Sequence, residues 1–384
     1  MDDPSTIVAE ADRAAAAGDL QSAHSLLLQA CEDATDPALF LRLAGIQRAI
    51  GQPRLALESV HRALASAPRD FTTLLMRASL LDALKHPEAS EAWAHAIAQK
   101  PEGELPSGLA QVVAQAEQRA AAWQSERDAK LRSAMSRAEE DADDELRERL
   151  ERYRSNILRR TRAYHSEPTH FHYPGLVERE FHPRRLFPWL EALEAATGEI
   201  AGELRDVLES ERAELVPYII YPEHLPLDQW RSLNKNLDWT AIHLLQNGVR
   251  VERNAAMCPK TMAVLAQIDQ PVIAGSSPNA MFSLLAPKTA IPPHVGVSNA
   301  RLVCHLPLIV PEGCWFRVGG ETRYWRKGEA FVFDDTIEHE ALNPSDELRI
   351  VFIFDVWRPE LERVERQAIA AAIEAEAPGL EAGL

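Results

Sequence analysis

The chain has 384 residues, of which 46% are hydrophobic and 26% are charged. This composition is ordinary for a soluble globular protein, and the length predicts two or three domains. The 41 Lys and Arg residues against 58 Asp and Glu residues give a net charge of −17. Because phosphate backbones and anionic membranes bind clustered cations, this balance argues against nucleic acid or a membrane surface as the main partner.

The cysteines and the N-terminus bear on the cellular compartment. The chain has four cysteines without CxxC spacing, too few for a disulfide framework. The first residues, MDDPSTIVAEADRAAAAGD, lack the basic start and apolar core of a signal peptide. No apolar run approaches the roughly 18 residues that span a bilayer. The sequence therefore predicts a cytoplasmic protein with free thiols.

Residues 1–105 contain an internal repeat of 33 to 34 positions. Gly18 and Gly51 occupy equivalent turns, where the third unit has Lys85. Small residues at fixed points of a helix–turn–helix unit let helices pack closely and share a core. The segment resembles tetratricopeptide repeats, although most aromatic positions of that motif are missing; an Ala-rich helical bundle is the alternative. The small residues form the columns Ala11, Ala44 and Ala78; Ala23, Ala56 and Ala89; and Ala30, Ala63 and Ala96.

Residues 106–166 differ in character from the repeat region. The stretch AEEDADDELRERLERYRSNILRRTRAY has interspersed charges and neither Gly nor Pro. Such a pattern predicts one or two long, solvated helices that act as a connector. A coiled-coil partner surface is the alternative, but clean heptads are missing.

Residues 167–384 form the third predicted segment. RRLFPWLEALEAATGEIAGELRDVL has the pattern of an amphipathic helix pair. Beyond Ala280, short β-rich runs follow one another closely: MFSLLAP, RLVCHLPLIV, CWFRVGG, TRYWRKG, AFVFDD and LRIVFIFDVW. Dense strands with short turns predict an antiparallel sandwich or a double-stranded β-helix of the jelly-roll, cupin type with flanking helices. The predicted fold class is therefore multidomain α plus β.

Three polar features within the β-rich block suggest a site. His294 lies in PPHVG, His339 lies in DDTIEHE after the apolar run FVF, and Arg349 lies in LRIVFIF. Two imidazoles from separate strands of one barrel can converge on divalent iron. Strand alternation would point Arg349 into the barrel, where an unpaired charge is very costly. A bound dicarboxylate would supply the required anion in bidentate geometry; an ion pair with Glu338 or Glu340 is the alternative.

The same block resembles a known family. The segment HVGVSNARLVCHLPLIVPEGCWFRVGGETRYWRKGEAFVFDDTIEHEALNPSDELRIVFIFDVWRPEL is similar to the catalytic core of the aspartyl/asparaginyl β-hydroxylases. The likeness extends back through Ser283, NAAMCPKT, Asp238-Trp239 and RRLFPWLEAL, and it covers nearly half of the chain. This resemblance implies a dioxygenase that uses Fe(II), 2-oxoglutarate and O2.

The resemblance also implies roles for individual residues. His294 and His339 would bind the iron, and Arg349 with Ser283 would hold the distal carboxylate of 2-oxoglutarate. His305 falls at the family's histidine near the other carboxylate of that cosubstrate.

Five further positions of the segment can be compared with the family. Trp239 matches an aromatic of the family's active-site region, and Asp334 and Asp335 match a turn that is interpreted as structural. Gly296 stands where most related oxygenases have the acid of a two-histidine, one-carboxylate triad, a departure that this family shares. Val303 replaces an arginine of some members, so part of the cosubstrate or substrate binding is expected to differ here.

The predicted reaction is hydroxylation of an unactivated C–H bond, for which the β-carbon of Asp or Asn in a peptide or protein is one candidate. The helical repeats favour a peptide, protein or carrier-bound substrate, because stacked helices offer surfaces suited to extended chains. One alternative is a halogenase that admits chloride beside Gly296. The other is a non-catalytic repeat adaptor with a degenerate oxygenase domain.

Overall fold

A computed structural model of the chain describes residues 4–32, 34–103, 108–210, 215–224 and 227–376. The chain forms two compact units, residues 1–158 and 159–384. The helices of the predicted connector thus group with the repeats, and the second unit begins at Arg159. The division into segments 1–105, 106–166 and 167–384 stays a prediction, and the boundary at 105/106 lies outside the described residues.

The described part of the first unit is helical. Aspartates cap several of its helices: the side chains of Asp19, Asp36 and Asp70 accept hydrogen bonds from backbone N–H groups in the first turn. The helices are α1 (Pro4–Ala16), α2 (Leu20–Ala30), α3 (Pro37–Ala49), α4 (Pro53–Ser66), α5 (Phe71–Ala83), α6 (Ala89–Ile97), α7 (Ala110–Glu140) and α8 (Asp144–Ile157).

Helices α1 to α6 form three successive antiparallel pairs, as the repeat predicts. Two of the three alanine columns are buried throughout, and in the third Ala30 is partly exposed. Gly18 and Gly51 turn the chain at φ +85° and +78°, a conformation that glycine adopts without steric cost. Lys85 keeps the same left-handed turn at φ 54°. The tetratricopeptide-like organisation is therefore confirmed for this region.

The predicted connector forms the hairpin of α7 and α8. Arg154 on α8 is buried although its helix is highly charged, and its guanidinium contacts Asp128 and Glu139 on α7 and Glu151 on its own helix. Three carboxylates around one buried cation satisfy its charge. The prediction of long charged helices is correct, and this cluster fastens them together.

Besides two short 3₁₀ helices, Arg184–Leu186 and Asp228–Trp230, the second unit combines twelve strands with five α-helices among its described residues. They are β1 (Phe181–His182), α9 (Leu190–Ala195), α10 (Thr197–Glu209), β2 (Val216–Pro217), β3 (Trp239–Gln246), β4 (Val249–Arg250), α11 (Glu252–Ala255), α12 (Pro259–Leu265), β5 (Ala280–Leu285), β6 (Thr289–His294), β7 (Arg301–Ile309), β8 (Trp315–Val318), β9 (Glu321–Tyr324), β10 (Phe331–Phe333), β11 (His339–Asn343), β12 (Arg349–Trp357) and α13 (Arg363–Glu376).

The strands form two antiparallel sheets. The larger has the order β1-β10-β7-β12-β5-β3-β2, with β4 paired to β3, and the smaller has the order β6-β11-β8-β9. Side chains along β12 point alternately to the two faces of the larger sheet. Ile350 and Phe352 pack against the core shared with α9, α10 and α12, whereas Val351 and Ile353 pack toward the smaller sheet. Two facing antiparallel sheets are the arrangement that a jelly roll requires.

The predicted fold class, α plus β in several domains, is confirmed. The chain begins with helical pairs, and its second unit is a β sandwich with helices on the outer face of the larger sheet. In the part of the chain that the structure describes, no helix combines the length and apolarity needed to cross a bilayer.

Candidate active site

One cavity lies between the two sheets; its empty space, together with its opening to solvent, is about 550 Å³. Its position follows from strand alternation, because its wall is built from residues that point from both sheets toward the space between them. All six residues singled out in the sequence line it: Trp239, Ser283, His294, His305, His339 and Arg349.

His294 and His339 meet because their strands are paired. His294 ends β6, His339 begins β11, and the two residues face one another in the antiparallel register. Their imidazole ring centroids are 4.0 Å apart. Nδ1 of His294 donates to the Pro292 carbonyl at 2.8 Å, and Nδ1 of His339 donates to the Ile337 carbonyl at 3.1 Å. With the proton held on Nδ1, the Nε2 lone pair of each ring is available to a metal.

Burial keeps both imidazoles neutral. It lowers the pKa of His339 to about 4, and it lowers the pKa of His294 well below the usual 6.5, with a further contribution from the neighbouring His339. Neutral imidazole is the form that coordinates metals. The pair therefore does not need to lose protons before it binds a cation at neutral pH.

Arg349 lines the cavity and is only 1% exposed. Burial lowers the pKa of its guanidinium to about 10, so it remains charged at neutral pH. Its Nη1 is 3.5 Å from Ser283 Oγ, and its Nε has no hydrogen-bond partner among the described residues. Glu338 and Glu340 instead contact Arg317, so the ion pair considered from the sequence is wrong. A buried, unmatched cation of this kind favours an anionic ligand.

His305 lies among aromatic rings on β7. The ring centroids of Phe333 and Phe316 are 4.8 and 4.9 Å from its own. Its Nδ1 lacks a partner within the described residues. Burial, followed by the charge of Arg349, lowers the pKa of His305 well below its usual range, so the ring is neutral. A neutral histidine beside a guanidinium can donate one further hydrogen bond to an anion.

Trp239 connects the cavity wall to an aromatic stack. Its Nε1 donates to Ser283 Oγ at 3.1 Å. Its ring stacks on Tyr218 with centroids 3.8 Å apart, and Trp230 lies edge-on to His294 at 5.0 Å. These contacts fix Ser283 and enclose the side of the cavity next to His294.

Gly296, where the sequence lacks the acid of the usual triad, is packed against Asp335. A Cβ at residue 296 would lie 2.9 Å from Oδ1 of Asp335 and closer still to its Oδ2 and Cγ. Asp335 pairs with Arg301 at 3.2 Å, and both side chains are buried. Burial raises the pKa of Asp335 while Arg301 opposes this shift. Asp335, interpreted from the sequence as part of a structural turn, also lines the cavity.

A short segment before β1 joins the two histidine-bearing segments; we call residues 166–171 the strap. Glu167 N donates to the Thr336 carbonyl at 2.8 Å, three residues before His339. Thr169 N donates to the Gly296 carbonyl at 3.0 Å, two residues after His294. The strap thus holds both segments through backbone hydrogen bonds.

The donor set can be compared with what iron and a dicarboxylate need. Two neutral imidazoles suit divalent iron. Within the described ranges, no group of three or more His, Cys, Asp or Glu side chains is arranged to hold a metal. The unpartnered Nε of Arg349 suits a carboxylate. The residues therefore fit a metal together with an anionic chelating ligand.

Sequence reasoning missed Tyr218, Trp325 and the position of Asp335 in this cavity. Trp325 follows a hairpin strand of ordinary composition, and Tyr218 precedes a loop, so neither has a distinguishing pattern. Asp335 comes four residues before His339, and only the contact with Gly296 reveals its place.

Residues 197–359 match the family model of the aspartyl/asparaginyl beta-hydroxylases. The chain is 32% identical over 185 residues to the aspartyl/asparaginyl beta-hydroxylase of Mus musculus, which covers 48% of this chain and 25% of the mouse protein. It is 34% identical over 176 residues to the ornithine lipid ester-linked acyl 2-hydroxylase of Rhizobium tropici, which covers 45% of this chain and 58% of that protein. The chain thus spans about a quarter of the mouse relative's length. The resemblance of the second unit to this family is confirmed.

A solved structure resembles part of the chain as well. The type III secretion chaperone SycD of Yersinia enterocolitica, in complex with a peptide of the translocator YopD, is 18% identical. The match covers 31% of this chain and 89% of that chain, with a TM-score of 0.28.

Proposed function

We propose that the second unit, whose residues 197–359 match the aspartyl/asparaginyl β-hydroxylase family, is an Fe(II)- and 2-oxoglutarate-dependent dioxygenase that hydroxylates an unactivated C–H bond. One observation carries this proposal: two neutral imidazoles, with ring centroids 4.0 Å apart, share a cavity with a buried guanidinium that has no carboxylate partner among the described residues. Bound Fe(II), with 2-oxoglutarate and O2, supplies the oxidising chemistry, and succinate and carbon dioxide are the co-products.

His294 and His339 are the proposed iron ligands. Their Nδ1 protons are hydrogen-bonded to backbone carbonyls, so the lone pair of each Nε2 atom is available to coordinate the metal. The strap and the strand register hold the two rings in place before any metal arrives. Little reorganisation is then needed on binding.

Arg349 is the proposed anchor of the distal carboxylate of 2-oxoglutarate, with Ser283 beside it. Binding the dicarboxylate would neutralise a charge that is otherwise buried without compensation. His305 stands near Arg349 as a neutral donor for the cosubstrate. The aromatic rings around His305 exclude water, which strengthens each of these charge-assisted contacts.

The substrate is proposed to be an aspartyl or asparaginyl residue of a peptide or protein, hydroxylated at its β-carbon. The matched family and the name of the mouse relative support this class. The helical pairs of the first unit support a polypeptide or carrier-bound substrate, because stacked pairs expose extended surfaces. The name of the Rhizobium relative makes an acyl chain the second class to test.

Halogenation at the same metal is less favoured by the site. The carboxylate of Asp335 occupies the space beside Gly296. Chloride there would lie against a buried carboxylate, and the two like charges would repel one another in a low dielectric. Hydroxylation is therefore the preferred reaction.

The decisive experiment combines turnover with binding. Purified protein is incubated with Fe(II), 2-oxoglutarate and O2, and succinate is measured with candidate peptides and ornithine lipids, whose products are identified by mass spectrometry with and without chloride. His294→Ala should abolish succinate formation, whereas His224→Ala, a change at an exposed histidine, should not. Chlorinated products would show that the reaction is halogenation and would contradict the proposed hydroxylation.

Calorimetry separates an enzyme from an adaptor. Wild-type protein should bind 2-oxoglutarate only with a divalent metal, and Arg349→Met should weaken that binding sharply, because the variant removes the cation that pairs with the carboxylate. If the wild type shows no metal-dependent binding of 2-oxoglutarate, the proposal is contradicted and the adaptor is the better interpretation.

A further inference from the structure

Several buried polar atoms around the cavity lack partners among the described residues, and the proposed function leaves one of them, Trp325 Nε1, without a role. Arg349 Nε, His305 Nδ1 and Trp325 Nε1 are all buried, and each lacks a hydrogen-bond partner in the described part of the chain. All three side chains line the same cavity. Because buried polar groups are normally hydrogen-bonded, three unpaired ones around one cavity point to a ligand with several acceptor atoms.

Trp325 is held rigidly in this group. It directly follows β9, is 5% exposed, and its backbone N–H donates to the Cys314 carbonyl at 3.4 Å. Its ring stacks on Phe316 with centroids 5.5 Å apart and planes 22° apart. The guanidinium carbon of Arg349 lies 4.8 Å from the Trp325 ring centroid. The indole thus contacts the cation that is proposed to anchor the cosubstrate.

We propose that Trp325 is a binding residue for the distal carboxylate of the cosubstrate, which its indole N–H binds together with the guanidinium of Arg349. This inference rests on the proposed function, because it deepens the account of the same dicarboxylate site. An indole N–H is only a donor, so it suits a carboxylate oxygen and cannot accept from a competing donor. The ring face also attracts the guanidinium and limits its rotation.

A carboxylate at this place resolves two unfavourable features at once. It pairs the buried charge of Arg349, and it accepts the indole N–H that otherwise has no partner. Ser283 Oγ already accepts from Trp239 Nε1, so the Ser283 hydroxyl proton is free to point toward the same anion. Arg349, Trp325 and Ser283 then form a three-donor pocket for one carboxylate.

The test measures binding, not turnover. Calorimetry with Zn²⁺-loaded protein compares 2-oxoglutarate with 2-oxobutyrate, which keeps the 2-oxo acid and lacks the distal carboxylate. Trp325→Phe should weaken binding of 2-oxoglutarate roughly 10- to 100-fold, the effect of losing one hydrogen bond to a charged group. The same variant should bind 2-oxobutyrate as the wild type does. Trp357→Phe, a change at a buried tryptophan outside the cavity, is the matched control and should change neither affinity.

An atom-level variant covers the case in which Trp325→Phe disturbs packing. Trp325→β-(3-benzothienyl)alanine replaces the indole N–H by sulfur and keeps the shape of the ring, and it should show the same loss for 2-oxoglutarate alone. Nuclear magnetic resonance of indole N–H groups gives an independent reading. One of the eight tryptophan signals, absent in Trp325→Phe, should shift when 2-oxoglutarate is added to the Zn²⁺-loaded protein.

The outcomes separate the two proposals. If the wild type binds 2-oxoglutarate, Arg349→Met loses that binding and both Trp325 variants bind normally, the role of Trp325 is wrong and the proposed function stands. Equal losses for 2-oxoglutarate and 2-oxobutyrate would also overturn it, since they would indicate a general structural defect. If the wild type binds no 2-oxoglutarate, the proposed function itself is wrong.

Discussion

The carboxylate of Asp335 fills the space that a side chain at Gly296 would need. The backbone N–H of Gly296 donates to the Asp335 carbonyl at 2.7 Å, and a Cβ on this glycine would overlap the Asp335 carboxylate. The two residues belong to the segments that carry His294 and His339. Glycine is therefore required at position 296 by packing, and not only permitted by the absence of a third metal ligand.

This relationship predicts that the missing acid cannot simply be restored. Gly296→Asp should lower the free energy of unfolding by about 1–3 kcal/mol, because overpacking displaces neighbours and two carboxylates would lie in contact. Urea denaturation of the second unit measures the change. Gly198→Asp, at an exposed glycine with open space around its Cα, should have a small effect. A Gly296→Asp protein as stable as the wild type would show that Asp335 moves away at little cost.

Asp334, next to that carboxylate, predicts a second stability effect. Its carboxylate contacts Arg358 in a fully buried ion pair, and Arg358 also donates to the Val177 carbonyl at 3.0 Å. Arg358→Met should destabilise the second unit by about 3–5 kcal/mol, since it leaves a buried carboxylate uncompensated. The double variant Arg358→Met with Asp334→Asn should recover part of that loss. An equal or greater loss in the double variant would contradict the ion-pair explanation.

His182 predicts how stability depends on pH. Burial, aided by the charge of Arg358, lowers the pKa of His182 from 6.5 to about 3. Unfolding then takes up a proton between pH 3 and 6.5, so the free energy of unfolding falls as pH drops below 6.5. Between pH 7.5 and 5.0 this group costs about 2 kcal/mol.

The variant His182→Phe isolates that contribution. It keeps a ring beside Phe187 and cannot be protonated, so it should lose about 2 kcal/mol less than the wild type over the same pH change. His224→Phe, at an exposed histidine, should follow the wild type. Identical pH profiles for the wild type and His182→Phe would show that His182 is not responsible.

The strap predicts an effect on metal binding. Thr169→Pro removes the N–H that donates to the Gly296 carbonyl, so it should destabilise the second unit by about 1 kcal/mol or more and weaken binding of Zn²⁺. Thr169→Ala keeps the N–H and should bind Zn²⁺ like the wild type. Calorimetry on both variants measures the difference. An unchanged Zn²⁺ affinity in Thr169→Pro would show that the strap does not support metal binding by the two histidines.

The elements that depend on local pattern could be predicted from the sequence. The alanine columns and the turn glycines predicted the helical pairs, since each acts within one repeat. Strand alternation predicted that Arg349 would point between the sheets, where it lies with Val351 and Ile353 on the same face. The convergence of His294 and His339 follows from pairing of the strands on which they stand.

Features that depend on distant backbone contacts could not be predicted in this way. The strap joins residues more than 120 positions apart through N–H and carbonyl groups, which leave no trace in side-chain identity. Trp325 lines the cavity only because a hairpin brings its ring against the guanidinium of Arg349. In the third helical repeat, the turn has the non-glycine residue Lys85 in a left-handed conformation, which composition does not indicate.

The match to the family model begins at residue 197, yet the backbone around the paired imidazoles is completed by residues 166–171. A shortened protein that starts at residue 197 would leave the carbonyls of Gly296 and Thr336 without their N–H donors. A shortened form of the second unit, whether for crystallisation or for fusion to another protein, must therefore begin upstream of Ser166.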